Sequence, residues 1–260
     1  MKVWSMESTM IYSAHDFKFN PPRKVAFARR ILIKPDASVV AAHPATTSRE
    51  TLAAVVAGIR RHSDADIIFL ESPGVPDRAH EVFRQLGYDF PRVISVDVRD
   101  CSYVEVENLL PKPFVLQSIW VPNVVLSCDF LISVCSFRVL DESTCGFTLK
   151  NMLGLLPAAK YGPGLSQLRE KFHRLDLHGL IADLYFTLPC DLGIIDSRLR
   201  QVGGRVEPFG RIFVGDPAEV DAKAAQLVGF RARYLDLIEM GQNMLLQRDN
   251  VDVEAPSAND

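Results

Sequence analysis

Residues 65–87 read ADIIFLESPGVPDRAHEVFRQLG, and the order of their patterns sets the fold class. The apolar, β-branched run from Ala65 to Leu70 reads as a buried strand. Glu71-Ser72-Pro73-Gly74 follows at once as a turn. A helical pattern from about Asp77 to Leu86 then stops at Gly87. Strand, short loop and helix in this order form the unit that builds a mostly parallel sheet with helices on its faces.

The same alternation extends both ways. Val25 to Ile33 reads as a strand entering a loop at Lys34-Pro35, and Ser48 caps a helix whose Leu52, Val55, Val56 and Ile59 share one face. Val93 to Val98 is a further strand, Cys101 to Pro122 fits a β-ribbon or connector, and Phe130 to Val134 is another strand. The small-residue segment Gly146 to Gly154 leads into a loop holding Pro157, Gly162, Pro163 and Gly164. Leu165 to Phe172 and Leu177 to Leu184 then read as helices. Leu192 to Ile195 is a strand ending at Asp196, and Ile212 to Gly215 precedes a helix that starts at Asp216-Pro217 and closes at Gly229. Val251 to Asp260 is polar and aperiodic, which predicts a disordered end.

The expected architecture is α/β, with two closely packed lobes of mostly parallel sheet. Its parts are an N-terminal extension (1–24), one unit over 25–245 with lobes at 25–125 and 126–245, and a disordered tail over 246–260.

Among 260 residues, 29 Lys and Arg face 32 Asp and Glu, for a net charge of −3. A field so nearly balanced does not hold polyanionic nucleic acid or an acidic membrane surface. No apolar stretch is long enough to span a bilayer. The first residues show neither a secretory nor a transit pattern, so a cytoplasmic protein is expected. The five cysteines, Cys101, Cys128, Cys135, Cys145 and Cys190, contain no CxxC pair and read as reduced thiols. Their apolar neighbours favour small buried side chains over an iron–sulfur or metal site. Motifs for nucleotide binding, esterase and zinc-peptidase chemistry are lacking.

Ligands in open α/β sheets sit beyond the carboxyl ends of the strands, which marks the loops at Lys34, Glu71, Arg138 and Asp196. Thr46-Thr47-Ser48 before a helix can receive a phosphate or carboxylate, or can simply cap the helix. Glu71, where a strand stops, can act as a base or stand as a solvated acid. His173 and His178 are five apart, which does not place two ligands on one helix face. Lys150, among Phe147, Leu149, Met152 and Leu153, is either a pocket lysine with a lowered pKa or a surface lysine.

Leu32-Ile33-Lys34-Pro35, Ala45-Thr46-Thr47, Glu71-Ser72-Pro73-Gly74, Gly87-Tyr88, Asp129-Phe130-Leu131-Ile132-Ser133, Thr148-Leu149-Lys150-Asn151 with Gly154, and Asp216 through Asp221 to Gly229 occur in this order. From about residue 30 to residue 240 the set resembles the domain-of-unknown-function family 362. More distantly it is similar to the nickel-pincer lactate racemases. Some members of the family carry an appended ferredoxin-like module, and none is expected within these 260 residues. The resemblance puts Lys150 where the racemases tether their cofactor. It also implies a family pattern of Ile-Ser-x-Pro-Lys-x-Lys-x-His before that lysine. Here Cys135, Ser136 and Leu140 replace the Pro, the first Lys and the His, while Arg138 keeps a positive charge.

The resulting expectation is an enzyme acting on a small carboxylate- or phosphate-bearing metabolite by proton transfer or isomerisation. Lys150, Glu71 and His173 are its candidate catalytic residues. Lys34, Thr46, Thr47, Ser72, Arg138 and Asn151 are candidates for binding the anion. The alternatives are a catalytically lapsed binding or accessory protein and an iron–sulfur-linked redox accessory protein. No cofactor is identified, and the apolar segment around Trp120 leaves room for a homodimer.

Overall fold

Alternating side chains along each strand divide the interior in two. Ile31, Ile33, Phe130, Ile132, Val134, Ile194, Ile212 and Val214 belong to one apolar core, and Leu32, Leu70, Leu131, Ile195 and Phe213 to the other. A sheet apolar on both faces needs a layer on each side. In the computed structural model, which describes residues 9–140, 147–162 and 175–254, helices supply both layers.

The sheet has seven strands: β1 (Met10–Ser13), β2 (Arg30–Pro35), β3 (Asp66–Glu71), β4 (Val93–Asp97), β7 (Phe130–Val139), β8 (Leu192–Val202) and β9 (Arg205–Gly215). A separate antiparallel ribbon pairs β5 (Tyr103–Glu107) with β6 (Ser118–Pro122). The order across the main sheet is β1-β9-β8-β7-β2-β3-β4. Neighbours from β8 through β4 run parallel, while β9 is antiparallel to both β8 and β1.

One core lies under α1 (Arg49–Arg60) and α2 (Ala79–Gln85). The other lies under α4 (Thr148–Asn151), α6 (Leu177–Thr187), α7 (Pro217–Leu227) and α8 (Arg233–Glu254). Short helices α3 (Asn123–Leu126) and α5 (Ala158–Tyr161) complete the set.

Local chemistry explains the boundaries. The Ser48 hydroxyl accepts from Thr51 N at the start of α1, and Asp216 caps α7 through the amides of Ala218 and Glu219 with Pro217 in the first turn. Asp97 of β4 accepts from Ala79 N at 2.8 Å and fixes the start of α2. The ribbon is held by Asp183 of α6, which is fully buried and takes four hydrogen bonds, from Asn108 Nδ2 and the amides of Phe114, Val115 and Leu116.

Several segments differ from the sequence reading. Residues 23–27 form a 3-10 turn after Pro21-Pro22, so β2 begins at Arg30. Strand β8 passes Asp196 through a bulge and continues to Val202, and β9 starts at Arg205, with Gly203 and Gly204 at positive φ in the turn between them. Within 1–24, β1 adds an edge strand and Phe17 and Phe19 enter the core. Helix α8 packs on α6, where Gly241 lets the chain approach the Phe186 ring, and runs on to Glu254 through the first part of the expected tail, whose residues 255–260 lie outside the described residues. One sheet runs through both expected lobes, because β2 of the first pairs with β7 of the second. The helix expected at 165–172 lies outside the described residues.

Candidate functional site

Strand β2 is the point where the chain order reverses: β3 and β4 continue on one side of it, and β7 and β8 on the other. Its carboxyl end, Lys34-Pro35-Asp36, therefore opens on the place where such sheets bind ligands. Two polar clusters meet there.

The first is sealed. Lys34 and Glu71 are both 0% exposed. Lys34 Nζ donates to Glu71 Oε2 at 2.7 Å, Pro35 O at 2.7 Å and Asn151 Oδ1 at 3.1 Å. Ala37 N adds a bond to Glu71 Oε2, and Ser72 N donates to Oε1. Burial pushes the Glu71 carboxyl above its usual range, and the Lys34 ammonium opposes that rise. Asn151 Nδ2 donates to Lys34 O and Ser133 Oγ, so the amide is oriented by both of its ends.

Asn151 is aimed by its helix. Asp221 of α7 is fully buried and accepts from Thr148 N at 2.8 Å, Thr148 Oγ1 at 2.6 Å, Leu149 N at 3.1 Å and Tyr234 OH at 2.9 Å. Burial raises its carboxyl to about 6 against the pull of these bonds. The 3-10 turn Met152–Leu155 follows, and Gly154 lies directly over the Lys34 and Glu71 side chains.

The second cluster lies on the α1 face. Thr47 Oγ1 accepts from Asp36 N and donates to Val134 O, and Thr46 Oγ1 donates to Ala41 O. Ser48 N donates to Asp196 Oδ2 at 2.8 Å. The Tyr88 hydroxyl donates to Thr47 O in a short bond, and burial pushes that phenol up. Arg138 of β7 donates to Asp36 Oδ2 at 3.2 Å, with its side chain 25% exposed. Two strand-end hydroxyls, Ser72 Oγ and Ser136 Oγ, are buried and have no hydrogen-bond partner among the described residues.

The structure thus brings Lys34, Glu71, Asn151 and the Ser72 amide together, and sets Thr46, Thr47 and Arg138 around the neighbouring Asp36. Lys150 is half-buried and projects differently from Asn151, one position on in the same helix. Burial lowers the pKa of His178, whose ring stacks on Tyr234, and Arg233 and Lys150 add to that effect. His173 and Gly146 lie outside the described residues.

Asp36, Ser136 and His43, whose ring nitrogen lies 3.8 Å from the Asp196 carboxylate, join the site without having been singled out for it in the sequence. The available signal was position alone, since Asp36 directly follows the strand-end Lys34-Pro35.

The described residues do not fit the nickel-pincer group of the distant racemases. Leu140 offers no ligand atom and is 48% exposed. The Cys135 thiol is buried and pushed well above its usual range. Among the described residues no three His, Cys, Asp or Glu side chains gather as metal ligands. Also among them, no helix is long and apolar enough to cross a membrane.

The fold is similar to the solved lactate racemase apoprotein from Thermoanaerobacterium thermosaccharolyticum, with a TM-score of 0.51 and 12% identity. The likeness covers 83% of this chain and 53% of that one, so the chain spans about half the racemase's length. No curated protein matches by sequence. The family model described as "Domain of unknown function (DUF362)" matches residues 31–226, which is most of the chain, and the protein belongs to that family.

Proposed function

We propose that the chain is an enzyme that acts on a small carboxylate- or phosphate-bearing metabolite by proton transfer or isomerisation at the carboxyl end of β2. The observation that carries this reading is that two buried hydroxyls at strand ends flanking β2, Ser72 after β3 and Ser136 on β7, have no partner among the described residues, and that β7 also carries the half-buried Arg138. Buried polar groups are nearly always bonded, so these point to a ligand that supplies acceptors or donors. Arg138 spends one nitrogen on Asp36 and has further N–H donors for an anion.

Glu71 is the proton-transfer group, because burial holds its carboxyl at a raised pKa. It reaches a substrate only when the Gly154 turn shifts, since that turn covers it. Lys150 contributes positive charge from the same helix as Asn151. The fold likeness to a lactate racemase supports the isomerase class.

The test is a thermal-shift screen of small carboxylates and phosphate esters, followed by incubation of each hit in D2O and mass spectrometry of the ligand. Deuterium gained at carbon, lost in Glu71→Gln, supports the reading. No stabilising anion at all overturns it. A non-catalytic binding protein is the second reading, favoured by Leu140 in place of the family histidine. Binding without deuterium gain selects that one.

A further inference from the structure

The segment between β2 and α1, with the first turn of α1, is tied to β8 by three hydrogen bonds. Ser48 N donates to Asp196 Oδ2 at 2.8 Å, Arg198 Nε to Thr51 Oγ1 at 3.2 Å, and Leu199 N to His43 Nε2 at 3.1 Å. The third differs in kind, because the acceptor is an imidazole nitrogen. His43 Nδ1 lies 3.0 Å from Thr46 O, an acceptor only, so the ring proton sits on Nδ1 and Nε2 carries the lone pair. The ring is 11% exposed.

From this geometry we infer that His43 is a proton-sensitive latch on the crevice: gaining a proton at Nε2 releases Leu199 and loosens the joint between β8 and the loop that frames the site. The imidazolium has no lone pair for the Leu199 amide. The new N–H takes the place of that lone pair and meets the Leu199 N–H head-on, with the Asp196 carboxylate, which already accepts from Arg198 N, 3.8 Å from Nε2. Among the described residues, the other charged or titratable groups bonded around this loop include Arg198 on β8, Asp36 at the end of β2 with its partner Arg138 on β7, and the Tyr88 phenol on Thr47 O.

The latch acts at a soft place in the sheet. The β8 bulge falls between Ser197 and Leu199, and the pairing of β7 with β8 shifts register between Ser136 and Phe137. Ser136 is opposite Asp196 and Arg138 opposite Gln201 in that pairing, so the β8 residues on either side of Leu199 pair with the strand that carries both. The functional meaning of the latch rests on the reading of the crevice given above; its existence does not.

The experiment follows the ring nitrogens of His43 by NMR across pH 5 to 8 in the chain without ligand, together with hydrogen-exchange protection at Leu199. The expected result is an Nδ1–H tautomer at neutral pH, and a Leu199 protection factor that falls at least tenfold as the ring is protonated while that of Ile132 holds. In His43→Gln the Leu199 protection is expected to lose its pH dependence. An Nε2–H tautomer at neutral pH, or Leu199 protection indifferent to ring protonation, overturns the latch. A failed ligand screen leaves these readouts intact, so the two ideas fail separately.

Discussion

Gly154 and Lys34 approach so closely that a Cβ at position 154 would stand 2.7 Å from Lys34 Cε and 2.9 Å from Glu71 Oε1. The lysine cannot swing aside at small cost, because its ammonium is held by three acceptors in a sealed site. Gly154→Ala is therefore expected to lower stability by about 1–3 kcal/mol, the usual penalty of overpacking. A urea denaturation midpoint equal to that of the parent would show that the turn moves freely instead.

The Lys34 and Glu71 charges are each other's compensation. Lys34→Met leaves a buried carboxylate without its cation and is expected to cost about 3–5 kcal/mol. Adding Glu71→Gln, which removes the unpaired charge and keeps one carbonyl oxygen for either Ala37 N or Ser72 N, should recover part of that loss. A double-mutant cycle in urea measures the recovery, and simple additivity would show that the two charges act independently.

Asp221 gives stability a defined pH dependence. Its carboxyl is raised from 3.8 to about 6 in the folded chain, so the folded state binds the proton more tightly. The associated stability is fully present below pH 3.8 and is lost as pH rises to about 6, at most about 3 kcal/mol in all. Asp221→Asn should remove this slope from a plot of melting temperature against pH. An identical slope in the variant would assign it to other groups.

Asp183 pins the β5–β6 ribbon through four hydrogen bonds. Asp183→Ala leaves the amides of residues 114–116 without acceptors, at about 1–3 kcal/mol. Limited proteolysis should then cut the variant between Glu107 and Ser118 faster than the parent. Equal cleavage would show that the ribbon is held by its apolar contacts.

The α/β class was legible because each parallel strand is a short apolar run followed by turn residues, as at Ala65 to Gly74. The antiparallel hairpin was not, since the outer parts of β8 and β9 carry arginines and a glutamate at partly or fully exposed positions and lack the apolar run of the central strands. At the site, strand-end position pointed to Lys34 and Glu71, and the structure joins them across 37 residues. Nothing local could show that Lys34 spends its charge internally, because its acceptors come from three separate segments. Helical spacing likewise says that Lys150 and Asn151 diverge, but only packing decides which of the two turns inward.

The pairing of β2 with β7 joins residues about a hundred positions apart, at the centre of the sheet. During synthesis β2 has β3 on one flank well before its other neighbour exists. Until residue 139 has emerged, the backbone of Ile31 to Pro35 presents an open, apolar edge suited to pairing with another chain. A fragment ending near residue 125 is in that condition permanently. It is the unfinished chain, rather than the finished protein, that most needs shielding from its own copies.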